Sequence, residues 1–455
     1  MKNGKRSSFS GKLGYVLAAA GASVGLGNIW RFPYLAAKYG GGIFLIIYIV
    51  LALTFGYTMI VAETAIGRMT RKSPVGAFKS FGKKKWLSFG GWINAVIPVL
   101  IVPYYSVIGG WVIKYLVEYF RGNAKQLAED GYFTDFISNG VSTELCFMAF
   151  CAFTLIIIFA GVQNGIERVS KIMMPILIVL SVIIAVYSVT RPGALAGVKY
   201  FLVPNVKNFS WMTVVSAMGQ MFYSLSIAMG ILITFGSYMK KDTAIEDSTR
   251  NVEVFDTGIA IMAGLMIIPA VFAFSGGDPD TLQAGPSLMF ITIPKVFQNM
   301  GFGTVIGIVF FLLVLFAAVT SSIALTESAV STFEDELGWG RKKATVLVGV
   351  IMLVLGSLSS LGYGPLAGIK IIGMQFLDLF DFLTNSVMMP IAALLTSLLV
   401  SRVVGIDKIE AEIIHGESAF RRKKVFVVMI KYLCPVFAII ILLSSVANAL
   451  GWIKM

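Results

Sequence analysis

Long apolar segments alternate with short polar ones from one end of the chain to the other. Eleven of these segments reach about 18 residues, the length at which a helix crosses the hydrocarbon core of a membrane. A membrane barrel would instead alternate apolar and polar positions over strands of about ten residues. The pattern predicts an all-α integral membrane protein with eleven transmembrane helices, at about 13–37, 43–67, 89–120, 143–161, 169–190, 212–238, 252–275, 299–332, 343–360, 374–400 and 426–451.

Two of these segments carry glycines and hydroxyl residues in their middle. They are residues 21–28 (GASVGLGN) in the first segment and residues 223–230 (YSLSIAMG) in the sixth. Either stretch alone is typical of close helix packing, but such a pair, five spans apart, indicates a transporter built from inverted repeats with helices 1 and 6 broken at mid-membrane. We expect one transporter domain, 1–455, with repeat one at about 13–190, repeat two at about 212–400 and a peripheral helix at about 426–451.

Broken helices matter because they expose backbone groups where bulk water cannot satisfy them. Carbonyls and hydroxyls are hard oxygen donors that suit an alkali cation, and the N-terminus of a half-helix suits an anion. The eighth segment adds residues 317–322 (AAVTSS), whose three hydroxyls either bond back to their own helix or face the breaks. A site with both kinds of group favours a zwitterion together with a coupling cation.

Composition narrows the choice of protein class. The chain has 57% hydrophobic and 13% charged residues, about half the charged share of a soluble domain. Its three cysteines lie in apolar segments, and its single histidine, His415, lies in a charged one. We therefore expect no disulfide framework, no metal cofactor, no organic cofactor and no enzymatic activity.

The net charge of +13 is explained by orientation in the lipid bilayer, so we expect no nucleic-acid partner. With the N-terminus in the cytoplasm, the cytoplasmic segments hold 25 of the 37 basic residues, Lys2 and Lys5 among them. The outer loops hold 8, including Lys454. This asymmetry predicts a cytoplasmic N-terminus and, with eleven spans, an extracytoplasmic C-terminus.

Further motifs are spread in order over spans one to ten: residues 21–33 (GASVGLGNIWRFP), 40–48 (GGGIFLIIY), 63–68 (ETAIGR), 104–105 (YY), 219–238 (GQMFYSLSIAMGILITFGSY), 316–322 (FAAVTSS) and 334–336 (EDE). Together they resemble the neurotransmitter:sodium symporter family, which has the LeuT-type fold. The resemblance implies a transporter with two sodium sites. The missing twelfth span and the short loops suggest a bacterial member in the cytoplasmic membrane.

The same resemblance implies the ligands of each sodium ion. Sodium site one would consist of Ser23, Asn28, Ser224 and Asp256, completed by the substrate's carboxylate. Sodium site two would consist of Gly21, Val24, Ala317, Thr320 and Ser321. Because the substrate carboxylate would contact the first ion, loss of either one weakens binding of the other.

The implied substrate site lies between the two broken helices, with the amides of the first break and a tyrosine hydroxyl on the carboxylate. Its residues would be Ser23, Gly25, Leu26, Gly27, Ile101, Tyr105, Tyr223, Ser224, Ser226, Met229, Ser322 and Leu325. Family members that carry monoamines have an aspartate where this chain has Gly25. A neutral and hydrophobic amino acid, which brings its own carboxylate, is therefore the expected substrate.

Two gates are implied on either side of that site. Arg31 would pair with Asp378 or Asp381 in the outer gate; these two lie on one helical face, and the sequence leaves the choice open. The inner gate would consist of Arg6, Phe9, Tyr238 and Asp335. Glu327 belongs either to the cytoplasmic exit path or to a simple helix–helix hydrogen bond.

A second difference from some family members concerns chloride. The chloride-dependent members hold the anion near residues that are matched here by Tyr48, Gln220 and Ser224, but Asp256 stands where they have an asparagine. A fixed carboxylate would supply the negative charge of chloride, so we expect chloride-independent transport, with proton counter-movement left open. Glu63 is a further intramembrane carboxylate and is expected to brace the unwound sixth helix.

The sequence therefore predicts a sodium-coupled symporter that imports a neutral, hydrophobic amino acid by alternating access. A non-transporting amino-acid sensor on the same fold and an ion channel remain as alternatives. The identity of the amino acid, the ion stoichiometry and the oligomeric state are left open.

Overall fold

The computed structural model describes residues 6–275, 285–449 and 452. Three basic residues of the charge count, Lys2, Lys5 and Lys454, lie outside the described residues. So do residues 450–451 at the end of the expected peripheral helix. Within the described part, helices dominate the chain.

Thirteen of these helices form the body of the molecule and are labelled here in chain order. They are α1 (Lys12–Ser23), α2 (Gly27–Lys38), α3 (Gly42–Thr70), α4 (Lys85–Phe120), α5 (Gly140–Phe159), α6 (Val162–Val189), α7 (Trp211–Ser224), α8 (Ile231–Tyr238), α9 (Ile245–Ser275), α10 (Gly303–Leu337), α11 (Arg341–Leu361), α12 (Phe376–Val404) and α13 (Lys423–Asn448). Short helices connect them at Pro74–Lys79, Ala124–Leu127, Tyr132–Ser138, Ala194–Leu202, Val206–Asn208, Leu288–Gln298 and Ile406–Ile413.

The membrane-spanning character of the chain is evident from these lengths. Among the described residues, nine helices are long and apolar enough to cross a membrane, and α1 with α2 make a tenth when they are taken together. That pair bends by 53° between its two parts. The remaining pair, α7 and α8, has 14 and 8 residues, and neither part could span a membrane alone.

Helix starts differ most from the sequence prediction on α6 and α9. Helix α6 was expected from 169 but begins at Val162. Helix α9 was expected from 252 but begins at Ile245, so two charged turns precede its apolar part. The periodicity of apolar residues does not reveal such turns, because their carboxylates are satisfied by distant parts of the chain. Glu246 is buried on this extension.

The two interruptions, residues 24–26 and 225–230, lie at the centre of the packing. Helix α1 contacts α6, α9 and α10, while α7 and α8 both contact α3. Around them, α4 packs against α5, α10 and α11. This arrangement surrounds both interruptions with protein, which is where irregular backbone in a membrane protein can be satisfied.

One end of this assembly is fastened by a fully buried arginine, Arg68, at the end of α3. Its guanidinium donates 2.7 Å to the Glu412 carboxylate, 2.5 Å to the Thr243 carbonyl and 3.3 Å to the Lys241 carbonyl, and it also reaches the Glu412 carbonyl. Breaking such a buried pair by removing one partner costs about 3–5 kcal/mol. Three distant segments are therefore held together at one point.

Candidate functional site

The first interruption begins where α1 loses its helical backbone. Val24 adopts an extended conformation with φ −74° and ψ 98°, and the chain resumes a helix at Gly27. The carbonyls at the end of α1 are thereby freed from helical hydrogen bonds. The second interruption meets the first there, because the Ser226 hydroxyl donates to the Ala22 carbonyl over 2.9 Å.

The second interruption is held in a left-handed conformation by its surroundings. Ser226, Ala228 and Gly230 have φ values of 52°, 59° and 69°. Left-handed backbone disfavours residues that carry a side chain, so the segment needs external partners. Glu63, which is fully buried, accepts the Ala228 amide at 2.8 Å.

A cluster of four polar side chains lies against the first interruption. Asp256 accepts Asn28 Nδ2 at 2.8 Å, the Ser224 hydroxyl at 2.9 Å and the Tyr48 hydroxyl at 3.0 Å. All four are buried. Asn28 Oδ1 in turn accepts the Gly25 amide at 3.1 Å, so the cluster is joined to the unwound backbone.

Gln220 was expected beside that cluster but contacts a different group. Its amide nitrogen donates 3.0 Å to the Gly27 carbonyl in the first turn of α2. No hydrogen bond to Asp256 is present among the described residues. The structure brings three of the expected chloride-site equivalents into direct contact, namely Tyr48, Ser224 and Asp256. Gln220 contacts the backbone of Gly27 instead.

A second group of oxygens surrounds Ser321 on α10. Its hydroxyl lies 3.2 Å from each of the carbonyl oxygens of Gly21, Ala22 and Val24. The neighbouring Thr320 hydroxyl bonds to the carbonyl oxygen of Ala317 at 3.2 Å. The structure thus assembles the five residues expected for sodium site two and adds the Ala22 carbonyl, which the sequence did not indicate.

A cavity of about 30 Å³ separates these two groups of oxygens. It is lined by Ala22, Ser23, Gly25, Leu26, Gly27, Asn28, Ile101, Tyr105, Tyr223, Ser224, Ser226, Met229, Ser321 and Leu325. Every expected substrate residue except Ser322 is on its wall. The Leu26 amide lies 3.3 Å from the Tyr105 hydroxyl at the polar end, and apolar side chains form the other end.

Ser322 does not line the cavity in this structure, and its expected place in the substrate site stays a prediction. Its hydroxyl lies 3.3 Å from the hydroxyl of Thr154 on α5 and does not reach the cavity. Successive helical residues point about 100° apart, so three adjacent hydroxyls cannot all face one site. Ser321 occupies the cavity wall that had been assigned to Ser322.

Gly25 and Gly27 keep the cavity open. A Cβ on Gly25 would lie 2.7 Å from Ser321 Oγ and 3.0 Å from the Tyr105 hydroxyl. On Gly27 it would lie 2.4 Å from the Tyr223 ring. Any side chain at these two positions would therefore fill space that a ligand needs.

On one side of the cavity, a vestibule of about 410 Å³ contains the expected outer-gate residues. The Arg31 guanidinium lies over the Tyr223 ring at 5.4 Å. Asp381 accepts Asn385 Nδ2 at 2.6 Å and the Tyr104 hydroxyl at 3.2 Å.

The expected pairing of Arg31 with an aspartate is absent from the described part of the chain. Asp378 is bonded by the Tyr363 hydroxyl at 3.1 Å, and both carboxylates therefore have uncharged donors across the open vestibule. The ion pair stays a prediction for the form in which this side is closed. We call this side of the molecule the vestibule face.

The opposite side, which we call the Arg6 face, is closed by the expected inner-gate residues. Arg6 pairs with Asp335 at 2.5 Å and lies 5.0 Å above the Tyr238 ring. The Phe9 amide donates 3.1 Å to the Tyr238 carbonyl, and Phe9 is buried. Burial alone would lower the pKa of Arg6, but Tyr238 and Asp335 raise it above its ordinary value, so the guanidinium remains charged.

Glu327 and Arg341 extend this closure, and of the two only Arg341 was missed by sequence reasoning. The Tyr238 hydroxyl donates 2.7 Å to Glu327, whose carboxylate is bound by Arg341 at 3.0 and 2.6 Å. Arg341 also donates 2.9 Å to the Ile158 carbonyl at the end of α5. The only signal in the sequence was Glu327 itself, a carboxylate at an expected buried position without an obvious partner.

Two interrupted helices around a central cavity, open to a vestibule on one side and closed on the other, define a membrane transporter of the LeuT fold. The model of the sodium:neurotransmitter symporter family matches residues 6–130 and 117–452. The chain belongs to that family, and it is a sodium-coupled transporter.

Individual proteins agree with this assignment. The uncharacterized sodium-dependent transporter YhdH of Bacillus subtilis is 34% identical over 98% of this chain and 99% of its own length. The human sodium- and chloride-dependent GABA transporter 2 is 26% identical over 88% of this chain and 73% of its own. The crystal structure of MhsT in complex with L-phenylalanine superposes with a TM-score of 0.87 at 34% identity, over 97% of this chain and 100% of that one.

Proposed function

We propose that this transporter imports a neutral, hydrophobic amino acid together with sodium by alternating access. The observation that carries the proposal is the cavity between the two interruptions. Its polar end offers the Leu26 amide and the Tyr105 hydroxyl to a carboxylate, and Ile101, Met229 and Leu325 suit an apolar side chain. The complex of the similar MhsT with L-phenylalanine supports this substrate class.

Gly25 favours an amino acid over a monoamine. A monoamine carries a positive charge without a carboxylate, so its site must supply a fixed negative group near the amine. At residue 25 this chain has no side chain, and a Cβ there would contact Ser321 and Tyr105. An amino acid avoids the problem because its own carboxylate offsets the positive charge of the accompanying sodium.

Two sodium sites are part of the proposal. At site two, the Ser321 hydroxyl is within 3.2 Å of three carbonyl oxygens, so a cation among them would take oxygen ligands from α1, the first interruption and α10. The Ser321 proton would then turn away and its lone pair would face the ion. Thr320 and Ala317 would complete the site.

Site one would use Asn28, Ser224 and Asp256 with the Ser23 carbonyl and the substrate carboxylate. The hydrogen bonds among these side chains support a common site, because all their oxygens face the same space. Asp256 supplies a fixed negative charge next to Tyr48. We infer that this carboxylate takes the place of chloride, so transport would not require chloride.

The transport cycle follows from the two faces. Sodium and substrate would enter through the vestibule, and Arg31 would then approach Asp381 as that side closes. Release on the other side would require Arg6 to leave Asp335 and Tyr238 to leave Glu327. The distribution of basic residues supports a cytoplasmic Arg6 face and N-terminus.

The same proposal treats α1 with α2, and α7 with α8, as two spans that are broken at mid-membrane. The chain would then have eleven spans in a 5+5 inverted repeat, with α13 peripheral and the C-terminus outside the cytoplasm. A bacterial cytoplasmic membrane suits this short form. The similar lengths of the chain and of YhdH support it.

Uptake of labelled phenylalanine into proteoliposomes tests the proposal. An inward sodium gradient should drive accumulation, and potassium in its place should not. Replacing chloride by gluconate should leave the rate unchanged, whereas a collapse would refute the role given to Asp256. A panel of unlabelled neutral amino acids would rank the substrates by competition.

Other outcomes would favour the alternatives. Saturable sodium-dependent binding without net accumulation would identify a sensor. Sodium flux that persists without any amino acid and does not saturate would identify a channel. Accumulation of a charged amino acid or a monoamine in preference to neutral ones would contradict the assigned substrate class.

A further inference from the structure

A second cavity, of about 340 Å³, opens on the Arg6 face at a distance from the transport site. It lies between the start of α9 and the segment that leads into α13. Its lining is unusually rich in charge: Ala244, Glu246, Asp247, Arg250, Glu417, Ser418, Ala419, Arg421 and Arg422. Nothing in the transport cycle uses these residues.

The deepest carboxylate in this cavity, Glu246, is fully engaged. It accepts the backbone amides of Arg421 and Arg422 at 2.8 and 2.9 Å. It also accepts the Tyr57 hydroxyl at 2.9 Å. Glu246 therefore fixes the wall of the cavity, and both of its carboxylate oxygens bond to neutral donors rather than to an arginine side chain.

The other two carboxylates are engaged as well. Asp247 pairs with Lys12, the first residue of α1. Glu417 accepts the Asp247 amide at 3.2 Å and so occupies the N-terminus of α9. All three carboxylates that line the cavity, Glu246, Asp247 and Glu417, are thus bonded to other groups of the protein.

Two arginines remain without such contacts. The side chains of Arg250 and Arg421 are exposed, and in the described part of the chain neither makes an ion pair or a hydrogen bond. Arg422 differs, because it pairs with Glu253 at 3.3 Å and lies 4.7 Å above the Tyr57 ring. The cavity therefore presents two free guanidinium groups.

Apolar side chains continue from these arginines into the membrane. Val254 lies one helical turn after Arg250 on the same face of α9 and is 64% exposed. On α13, Val425 and Val428 follow Arg421 and are 36% and 50% exposed. The guanidinium groups would lie at the level of the lipid headgroups, and the exposed aliphatic side chains would lie at the level of the acyl chains of the same leaflet.

We propose that this cavity binds the phosphate of an anionic phospholipid between Arg250 and Arg421, with the acyl chains along Val254 and Val428. Basic pockets between transmembrane helices are suited to such headgroups, because each arginine near the surface attracts anionic lipid. A planar guanidinium binds phosphate oxygens in pairs. A soluble phosphate would gain the same ionic contacts but nothing from the valines. The inference does not depend on which solute is transported.

Native mass spectrometry of the full-length chain tests this site. The protein, purified in a neutral detergent, is mixed with equal amounts of phosphatidylglycerol and phosphatidylcholine. We expect one phosphatidylglycerol to be retained in preference to phosphatidylcholine. R250Q/R421Q should weaken that retention about 30-fold, while R250K/R421K should keep most of it. All variants are first checked for folding by size exclusion.

K83Q/K84Q is the matched control, because these two exposed lysines lie in a loop on the same face and away from the cavity. This variant should retain phosphatidylglycerol like the unmodified protein. Equal retention by R250Q/R421Q, or equal retention of phosphatidylcholine, would overturn the proposal. Binding of inorganic phosphate that displaces the lipid at comparable concentration would assign the cavity to a soluble anion instead.

Discussion

Three adjacent hydroxyls on α10 illustrate what a single residue position decides. Thr320 bonds within its own helix, Ser321 faces the carbonyls of the first interruption, and Ser322 faces Thr154 on α5. Their chemistry is nearly the same, and only their direction around the helix differs. Ser321 can therefore be mutated to test the site, and Ser322, the next residue, can be mutated as its control.

Ser321→Ala should weaken the sodium dependence of substrate binding about tenfold or more. It removes one oxygen ligand from the cation, and a polar contact to a charge contributes about 1.5–3 kcal/mol. Ser322→Ala should leave the sodium dependence within about twofold, because the lost contact is a neutral hydrogen bond of about 1 kcal/mol outside the site. Binding of labelled phenylalanine, titrated with sodium in detergent, measures both. Equal effects of the two variants would contradict the proposed site.

At the scale of helices, the Arg6 face is closed by a chain of contacts between α8, α10 and α11. Tyr238 ends α8, while Glu327 and Arg341 belong to α10 and α11. The carboxylate of Glu327 is fully buried, so its charge depends on Arg341 for compensation. We therefore expect Arg341 to act on the closure of the Arg6 face as a positioning residue, through Glu327.

Arg341→Gln should destabilise the closed Arg6 face. It leaves the buried Glu327 charge uncompensated, at a cost of about 3–5 kcal/mol. Adding Glu327→Gln should restore most of the loss, since the double variant has no buried charge. The measurement is labelling of Ser328→Cys, a buried position on α10, by a membrane-impermeant thiol reagent in a background without Cys146, Cys151 and Cys434.

Labelling of that cysteine should be fast with Arg341→Gln alone and slow in the double variant. Lys343→Gln, at an exposed position two residues further along α11, is the control and should leave labelling slow. If the double variant is labelled as fast as the single one, Arg341 does not act through Glu327.

The sequence predicted helices well where apolar runs were long and uninterrupted. It also located both interruptions, because glycines and hydroxyls are conspicuous within apolar helices. It missed the first seven residues of α9, whose buried carboxylate, Glu246, is satisfied by the Tyr57 hydroxyl and the Arg422 amide, groups far away along the chain. The pattern of neighbouring residues cannot indicate such partners, because they are distant in sequence.

Site residues were predictable to a similar extent. The carbonyls that lie around Ser321 belong to a motif of consecutive residues, so their closeness to one another was readable from the sequence. The direction of Ser322 depends on the rotation of α10, and the donors of Asp378 and Asp381 depend on the position of neighbouring tyrosines. Arg341 was missed for the same reason, since its pairing with Glu327 depends on how α10 and α11 lie next to each other.

At the scale of the whole molecule, the proposed sodium sites take ligands from α1, α2, α7, α9 and α10. These helices come from both halves of the chain, so an ion at either site would hold the halves together. Binding to the folded form stabilises it in proportion to the logarithm of ligand concentration. The stability of the purified protein should therefore increase with the sodium concentration.

Sodium at about 100 times its dissociation constant should stabilise the fold by about 2.7 kcal/mol. The melting temperature should rise with sodium, and phenylalanine should add a further rise only when sodium is present. Potassium at equal ionic strength is the control. Equal melting temperatures in the two salts, measured by the intrinsic fluorescence of the tryptophans, would contradict the proposed coupling.

The buried clamp around Arg68 has a consequence for the synthesis of this protein. Its carboxylate partner, Glu412, is 344 residues further along the chain. At about 5–20 residues per second, a ribosome needs roughly 20–70 s to reach it. Until then the guanidinium at the end of α3 has no carboxylate, and it has to remain among lipid headgroups at the surface. A nascent chain that stops before Glu412 therefore exposes an unfinished cationic surface, which quality-control proteases could distinguish from the completed transporter.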